Sequence, residues 1–314
     1  MKTKYNILVT GCGGDIGQSI GKILKSNVLF DRVVGCDMSS DNAAQFIFDK
    51  VIKVPACKSD NYSSALKEII LSESIDIILP ISEPELRNLS EQKNYDHFLG
   101  KILICANPEA MIIGFDKFET ANFLKKNHLP FPETNIITEV SKPQLPAIIK
   151  SKNGSGSKSV YVLETMEDFV FYQKKYPDFI IQELLRNAEE EYTCGVFRSA
   201  SSEVRTIVYK RKLTGGFSGY GEVIDNPDVD LLLNKIAHAL NLNGSINVQL
   251  RMDKKGPCVF EINPRFSSTV RFRHMMGFED VIWSIQDALK IKVSEYIKPI
   301  IGAKFYKGFT EYVN

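Results

Sequence analysis

Between Tyr5 and about residue 105 short apolar runs alternate with helical stretches, and that alternation leaves few architectures open. Strands are expected at Tyr5–Thr10, Arg32–Cys36, Val51–Val54, Asp76–Leu79 and Lys101–Cys105, with helices from Asp15, over Tyr62–Leu71 and from Pro84. Short apolar strands separated by helices indicate a parallel sheet with helices packed on it.

Asn107-Pro108 breaks the pattern, so a domain boundary is expected near residue 107. Two helices follow, Glu109–Ile113 and Asp116–Asn127, then the proline-punctuated segment Leu129-Pro130-Phe131-Pro132. Beyond it the character changes to strands expected to pair antiparallel: Pro146–Lys150, Ser159–Leu163, Phe179–Leu184, Tyr192–Arg198, Val204–Lys210, Ser245–Met252 and Cys258–Ile262. Helices intervene at Met166–Lys175, Val229–Leu240 and Glu279–Leu289. The fold class is therefore α/β followed by α+β.

Bulk properties exclude several functions. The 314 residues are 44% apolar and 25% charged with a net charge of +1, and no block of like charge exceeds the short acidic run Glu189-Glu190-Glu191. Nucleic-acid and membrane-surface partners are not expected. No apolar run approaches the roughly 18 residues of a membrane span, and Ile7-Leu8-Val9 reads as a first strand rather than a signal peptide. Six scattered cysteines without a C-x-x-C pair, and four histidines without ligand spacing, point to a reducing cytoplasm and no zinc.

Gly11-Cys12-Gly13-Gly14-Asp15-Ile16-Gly17 follows a strand and opens a helix, and Asp37 ends the next strand, as a dinucleotide site requires. The spacing departs from G-x-G-x-x-G, however. A tight strand-to-helix turn demands the same glycines, and that structural reading is favoured.

The stronger chemistry lies downstream. Strand Pro146–Lys150 ends in a lysine and runs into a Gly/Ser loop containing Ser155, Gly156 and Ser157, followed by another strand. Such a hairpin can close backbone N–H groups over phosphates while Lys150 supplies positive charge, although a plain surface hairpin has the same pattern. Farther on, Gln249 and Glu261 flank a turn at Asp253–Pro257. A three-residue hairpin loop with Gly256 in the left-handed position would set them opposite each other. Strand alternation adds Asn263 and Arg265 to the same face and sends Phe260 and Ile262 into a core. One carboxylate and two amide oxygens suit Mg2+ bridging nucleotide phosphates, and an arginine beside them can neutralise charge on a transferred phosphoryl group. The strand Ile180–Leu185 can line an adenine pocket, and Glu191 can accept from ribose hydroxyls; both also read as ordinary strand ends.

In order and spacing these segments resemble the ATP-grasp superfamily, in particular one synthetase half of the carbamoyl phosphate synthetase large subunit. The resemblance implies an ATP-grasp fold behind a Rossmann-like pre-ATP-grasp domain at 1–107. The ATP-grasp domain would occupy 108–314, with a lid subdomain at about 134–184 and a carboxy-terminal subdomain at 185–314. It implies that Lys117 and Lys150 contact ATP phosphates, Glu183, Leu184 and Leu185 the adenine, and Glu191 the ribose, while Gln249, Glu261 and Asn263 hold Mg2+ (or Mn2+) and Arg265 serves phosphoryl transfer. Gln249 stands where many members carry an acid, leaving the metal count open, and because the resemblance covers a single synthetase half, complete carbamoyl phosphate synthesis is not expected.

The function implied is a carboxylate–amine, or carboxylate–thiol, ligase acting through an acylphosphate on small molecules, and an apolar sheet edge in the first domain would suit a homodimer. Lys210, Arg211 and Lys212, and Arg271 and Arg273, are candidates for binding the acceptor, or form a solvated face. Two other functions remain open at this point: an NAD(P)-dependent oxidoreductase using Gly11–Gly17, and a non-catalytic ATP sensor.

Overall fold

The computed structural model describes residues 3–91, 96–154, 159–185, 190–254 and 256–313. The first sheet contains β1 (Tyr5–Thr10), β2 (Phe30–Asp37), β3 (Lys50–Lys53), β4 (Ile77–Leu79), β5 (His97–Phe98) and β6 (Lys101–Leu103), in the order β3-β2-β1-β4-β6-β5. Its pairings are parallel except that of the short edge strand β5 with β6. Ile7, Leu8 and Val9 are all fully buried because apolar groups cover both faces: Leu8 joins one cluster, Ile7 and Val9 the other. Helices α1 (Asp15–Lys25), α2 (Tyr62–Ser72) and α3 (Glu83–Ser90) follow β1, β3 and β4.

Two helices lead to the second half, α4 (Pro108–Phe115) and α5 (Lys117–Lys126). Asp116 separates them, with an extended backbone and a side chain that accepts from Phe118 N at 2.8 Å and Glu119 N at 3.3 Å. That N-cap starts a new helix with Lys117 as its first residue.

A four-stranded antiparallel sheet follows, built from β7 (Thr134–Ile136), β8 (Ala147–Ser151), β9 (Val160–Leu163) and β10 (Phe179–Glu183) in the order β7-β10-β8-β9. Helix α6 (Met166–Lys175) is started by a capping box between Thr165 and Asp168. The third sheet, also antiparallel, has β11 (Glu191–Arg198), β12 (Val204–Thr214), β13 (Phe217–Val223), β14 (Gly244–Asp253), β15 (Gly256–Asn263) and β16 (Lys304–Tyr306), in the order β15-β14-β11-β12-β13-β16. Helices α7 (Pro227–Ala239), α8 (Val270–Met275) and α9 (Asp280–Ala288) accompany it.

Elements beyond the sequence reading are those made by tertiary partners. Strand β13 contains Gly219 and Gly221, weak strand formers. A Cβ at Gly221 would stand 2.3 Å from the Phe305 ring, so that glycine lets β16 lie alongside. Strand β7 is three residues long, and α8 is a six-residue helix.

The break at residue 107 interrupts the chain without dividing the core. Leu8, Val34 and Leu103 of the first sheet share one apolar cluster with Met111 and Phe115 of α4 and with Val248, Val259 and Ile262 of β14 and β15. Gly114 sits against Pro264, where a Cβ would approach to 2.7 Å. Among the described residues no helix is long and apolar enough to cross a membrane.

Candidate nucleotide and metal site

The second and third sheets enclose a cleft of about 430 Å³, lined among others by Lys117, Lys150, Glu183, Leu185, Glu191, Arg211, Gln249, Arg251, Phe260 and Glu261. Lys150 comes from β8 and Glu261 from β15, so the cleft exists only through the meeting of two sheets.

Gln249 does lie opposite Glu261, but not through the expected turn. The hairpin closes on Asp253 and Gly256, with Gly256 at φ +97°, and this register continues through Leu250 and Val259. Continued unchanged, it would pair Gln249 with Phe260. A bulge between Gln249 and Leu250 leaves Phe260 as the extra residue and shifts the ladder, so Gln249 meets Glu261. The expectation that Phe260 enters the core is corrected by the same bulge. Val259 is 1% exposed, whereas Phe260 and Glu261 both line the cleft.

The two lysines converge on this wall. Lys117 Nζ donates to Gly154 O at 2.8 Å and lies 3.5 Å from Glu261 Oε1. The Lys150 ammonium is 5.8 Å from the Phe260 ring. Burial lowers the Lys150 pKa to about 8, with Lys117 and Arg251 adding to the fall and Glu261 opposing it. Both lysines thus sit where an added polyanion would be the missing counter-charge. Ser155, Gly156 and Ser157, expected to cover phosphates, lie outside the described residues.

Glu191 lines the cleft, yet its carboxylate is already engaged. Oε1 accepts from Arg211 Nε and Nη2 at 3.0 and 2.7 Å, and Oε2 from Arg251 Nε and Nη2 at the same two distances. The register explains this, because Glu191 faces Arg251 across the β11–β14 ladder and Arg211 follows one step beyond the Tyr192–Lys210 pair on β12. The ribose role expected of Glu191 would have to share it with both arginines. Arg251 had no role in the sequence reading, although its spacing of two from Gln249 places it on the same face. It also donates to Leu185 O at 2.8 Å, tying the interior wall to the end of the β10 segment.

Of the residues expected at the adenine, Glu183 and Leu185 line the cleft, whereas Leu184 lines the neighbouring groove with Glu133, Lys142 and Asp253. Asn263 and Arg265 continue from Glu261 but are not among the cleft's lining residues. Arg265 Nη1 donates to Phe266 O at 3.0 Å and Nη2 to Asn263 Oδ1 at 3.4 Å. Burial lowers the Arg265 pKa, opposed by the charges of Glu261 and Glu83.

The basic residues expected to meet the acceptor divide. Arg211 is in the cleft, also donating to Gln249 Oε1 at 2.9 Å and Ser218 Oγ at 3.3 Å. Lys210 pairs with Glu190. Arg271, half-buried at the start of α8, is not in the cleft lining, and its Nη1 is buried without a partner. Arg273 is corrected from acceptor candidate to structural ion: it is 0% exposed, ion-paired to Asp280 at 3.4 Å and hydrogen-bonded to Asn247. Asn247 faces Asn263 across the hairpin, so this network fixes α8 behind the site. Arg87 was also missed. It binds Glu83, the Phe115 carbonyl and Asn153 Oδ1, joining α3, α4 and the loop after β8.

For a divalent ion, the Glu261 carboxylate with the Gln249 and Asn263 amide oxygens is an oxygen set that fits Mg2+. Among the described residues no group of three His, Cys, Asp or Glu side chains could hold a metal alone. Nucleotide oxygens would therefore have to complete the coordination shell.

The amino-terminal glycine loop is closed by its own surroundings. Gly13 N donates to Asp37 Oδ2 at 2.9 Å, and a Cβ on Gly13 would stand 2.7 Å from Asn42 Nδ2. A Cβ on Gly17 would be 2.5 Å from Gly11 O. These glycines permit close backbone packing, and Asp37 is spent on the loop itself.

The family described as ATP-grasp in the biosynthetic pathway with Ter operon matches residues 175–305, and the PylC-like, N-terminal domain family matches residues 7–104. A D-alanine–D-alanine ligase of Petrotoga mobilis is 23% identical over 52% of this chain and 62% of its own length. A carbamoyl-phosphate synthase of Methanobrevibacter smithii is 24% identical over 39% of this chain and 36% of its own. Both matches thus span less than two thirds of the relative. The N5-carboxyaminoimidazole synthetase of Staphylococcus aureus complexed with ADP superposes with a TM-score of 0.74 at 17% identity, covering 95% of this chain and 81% of that one. The chain carries an ATP-grasp fold behind a PylC-like amino-terminal domain.

Proposed function

We propose that this chain is an ATP-dependent ligase that joins a small carboxylate to an amine, or to a thiol, through an acylphosphate, with ADP and phosphate as the other products. The observation that carries the reading is the convergence of Lys117 and Lys150 on Glu261 across two sheets, with Lys117 Nζ 3.5 Å from the carboxylate. Two ammonium groups and one carboxylate beside amide oxygens form an environment for a Mg-nucleotide, not for a dinucleotide. The ADP-bound relative and the ligase relative support it.

In this reading the γ-phosphoryl group lies between Lys150 and Glu261, and the adenine meets the Glu183–Leu185 segment. Mg2+ at Glu261, Gln249 and Asn263 neutralises phosphate charge. Arg265, desolvated and fixed through Asn263 and the Phe266 carbonyl, stabilises charge on the phosphoryl group as it transfers to the acceptor carboxylate. The amine then attacks the acyl carbon and phosphate leaves.

The test is ADP release by purified protein with Mg2+ and a panel of carboxylates and amines. Glu261→Ala and Arg265→Ala are each expected to lower it roughly 100-fold or more while the melting temperature is held. Unchanged ADP release in both variants would sink the proposal. Tight ATP binding with no turnover across the panel would favour the sensor instead.

A further inference from the structure

Resting on that proposed function, the cleft contains a detail that bears on how many ions the nucleotide brings. The amide oxygen of Gln249 faces Glu261, yet it already accepts from Arg211 Nη2 at 2.9 Å. The guanidinium is 9% exposed and held from three sides, by Glu191 Oε1, Gln249 Oε1 and Ser218 Oγ. Glu191 in turn is locked by Arg251, so Arg211 cannot swing away without leaving a buried carboxylate half-paired.

We propose that Arg211 is a built-in cation on the Gln249 side of the site, so that this chain takes its nucleotide with one divalent ion, at Glu261, instead of two. Two features converge. A neutral amide at position 249 offers a divalent ion a dipole where a carboxylate would offer a charge. The oxygen it presents is beside a fixed positive group, which repels a second ion at short range in a weakly screened cleft. Among the cleft's lining residues the four cations Lys117, Lys150, Arg211 and Arg251 already exceed the three carboxylates Glu183, Glu191 and Glu261. A tetra-anionic nucleotide with one Mg2+ brings the complementary negative charge, whereas two Mg2+ would bring none. Arg211 is thereby a positioning and charge-balancing residue, distinct from the acceptor-binding role its place in the sequence suggests.

The experiment counts ions directly. Wild-type protein is saturated with a non-hydrolysable ATP analogue and Mn2+, bound ion is measured by equilibrium dialysis, and the electron paramagnetic resonance spectrum is recorded. One Mn2+ per chain with the spectrum of an isolated ion is expected; two per chain, or a spin-coupled spectrum, overturns the proposal while leaving ATP use intact. The double variant Arg211→Gln/Gln249→Glu, shown to fold by its melting curve, is expected to rise from one to two. A double variant that stays at one shows that Arg211 is not what excludes the second ion and also overturns it. Failure of the wild type to bind the analogue removes both this inference and the function it rests on.

Discussion

At Lys150 the burial that makes the site also makes it sensitive to pH. The folded pKa of about 8 lies below the ordinary lysine value of 10.5, so the ammonium is disfavoured by folding and favoured by an incoming phosphate. The free protein binds fewer protons than the unfolded chain between those values, so this group's contribution to stability increases as pH rises from about 8 toward 10.5. Nucleotide affinity is expected to run the other way, weakening above pH 8, with net proton uptake on binding near that pH. Calorimetry in buffers of different ionisation enthalpy checks it: binding heats that do not vary with the buffer would contradict the assignment. Lys150 was legible as the lysine before a Gly/Ser loop, and that Gln249 and Glu261 would share a wall was legible because strand alternation and hairpin pairing set those two side chains on one face. Arg211 was legible only as a basic candidate for the acceptor and Arg251 not at all, since their meeting at Glu191 depends on three strands lying side by side.

At the scale of elements, the glycine loop and the β14–β15 hairpin carry opposite lessons. The loop's glycines look like a dinucleotide fingerprint, but Gly17 faces Gly11 O so closely that its role is packing of α1 against β1. Gly17→Ala is expected to destabilise the protein by about 2 kcal/mol, lowering the melting temperature while ATP affinity in the surviving folded protein is unchanged. Saturable NAD(P)H fluorescence abolished by Gly13→Val would instead restore the oxidoreductase reading. In the hairpin, the correct pair was inferred from an incorrect turn. The bulge at Phe260 supplies the shift that the turn does not. Deleting Phe260 removes the extra residue and is expected to leave Gln249 opposite Glu261 in a regular ladder, so that Mg2+-dependent nucleotide binding is retained with the far-ultraviolet circular dichroism; loss of binding in a folded deletion variant would contradict this register.

For the whole molecule, the shared core predicts that the amino-terminal region is not an independent unit. Residues 1–107 alone would lose the part of this cluster that lies beyond the break, Met111, Val248 and Ile262 among it. The fragment is expected to lack the dispersed amide spectrum of a folded domain, and a well-dispersed spectrum would refute this. The cleft, by contrast, is bounded by two sheets with separate cores: Ile149, Leu163 and Phe169 on one side, Val248 and Ile262 on the other. Mg2+ with a non-hydrolysable ATP analogue is therefore expected to slow amide exchange in Ala147–Ser151 and Gly256–Asn263, and in both together because Lys150 and Glu261 bridge through the phosphates.

What the sequence determined by itself was local and periodic: the alternating first half, the strands of the second, and the side chains that strand spacing sets on one face. Such features need only the backbone geometry of neighbouring residues. The tertiary structure alone decided the bulge that aligns Gln249 with Glu261, the enclosure of Glu191 by two arginines, the burial of Arg273 and the continuity of the core past residue 107. Each of these joins residues distant along the chain, and their contacts arise from sheet order and packing, which no short window of sequence contains.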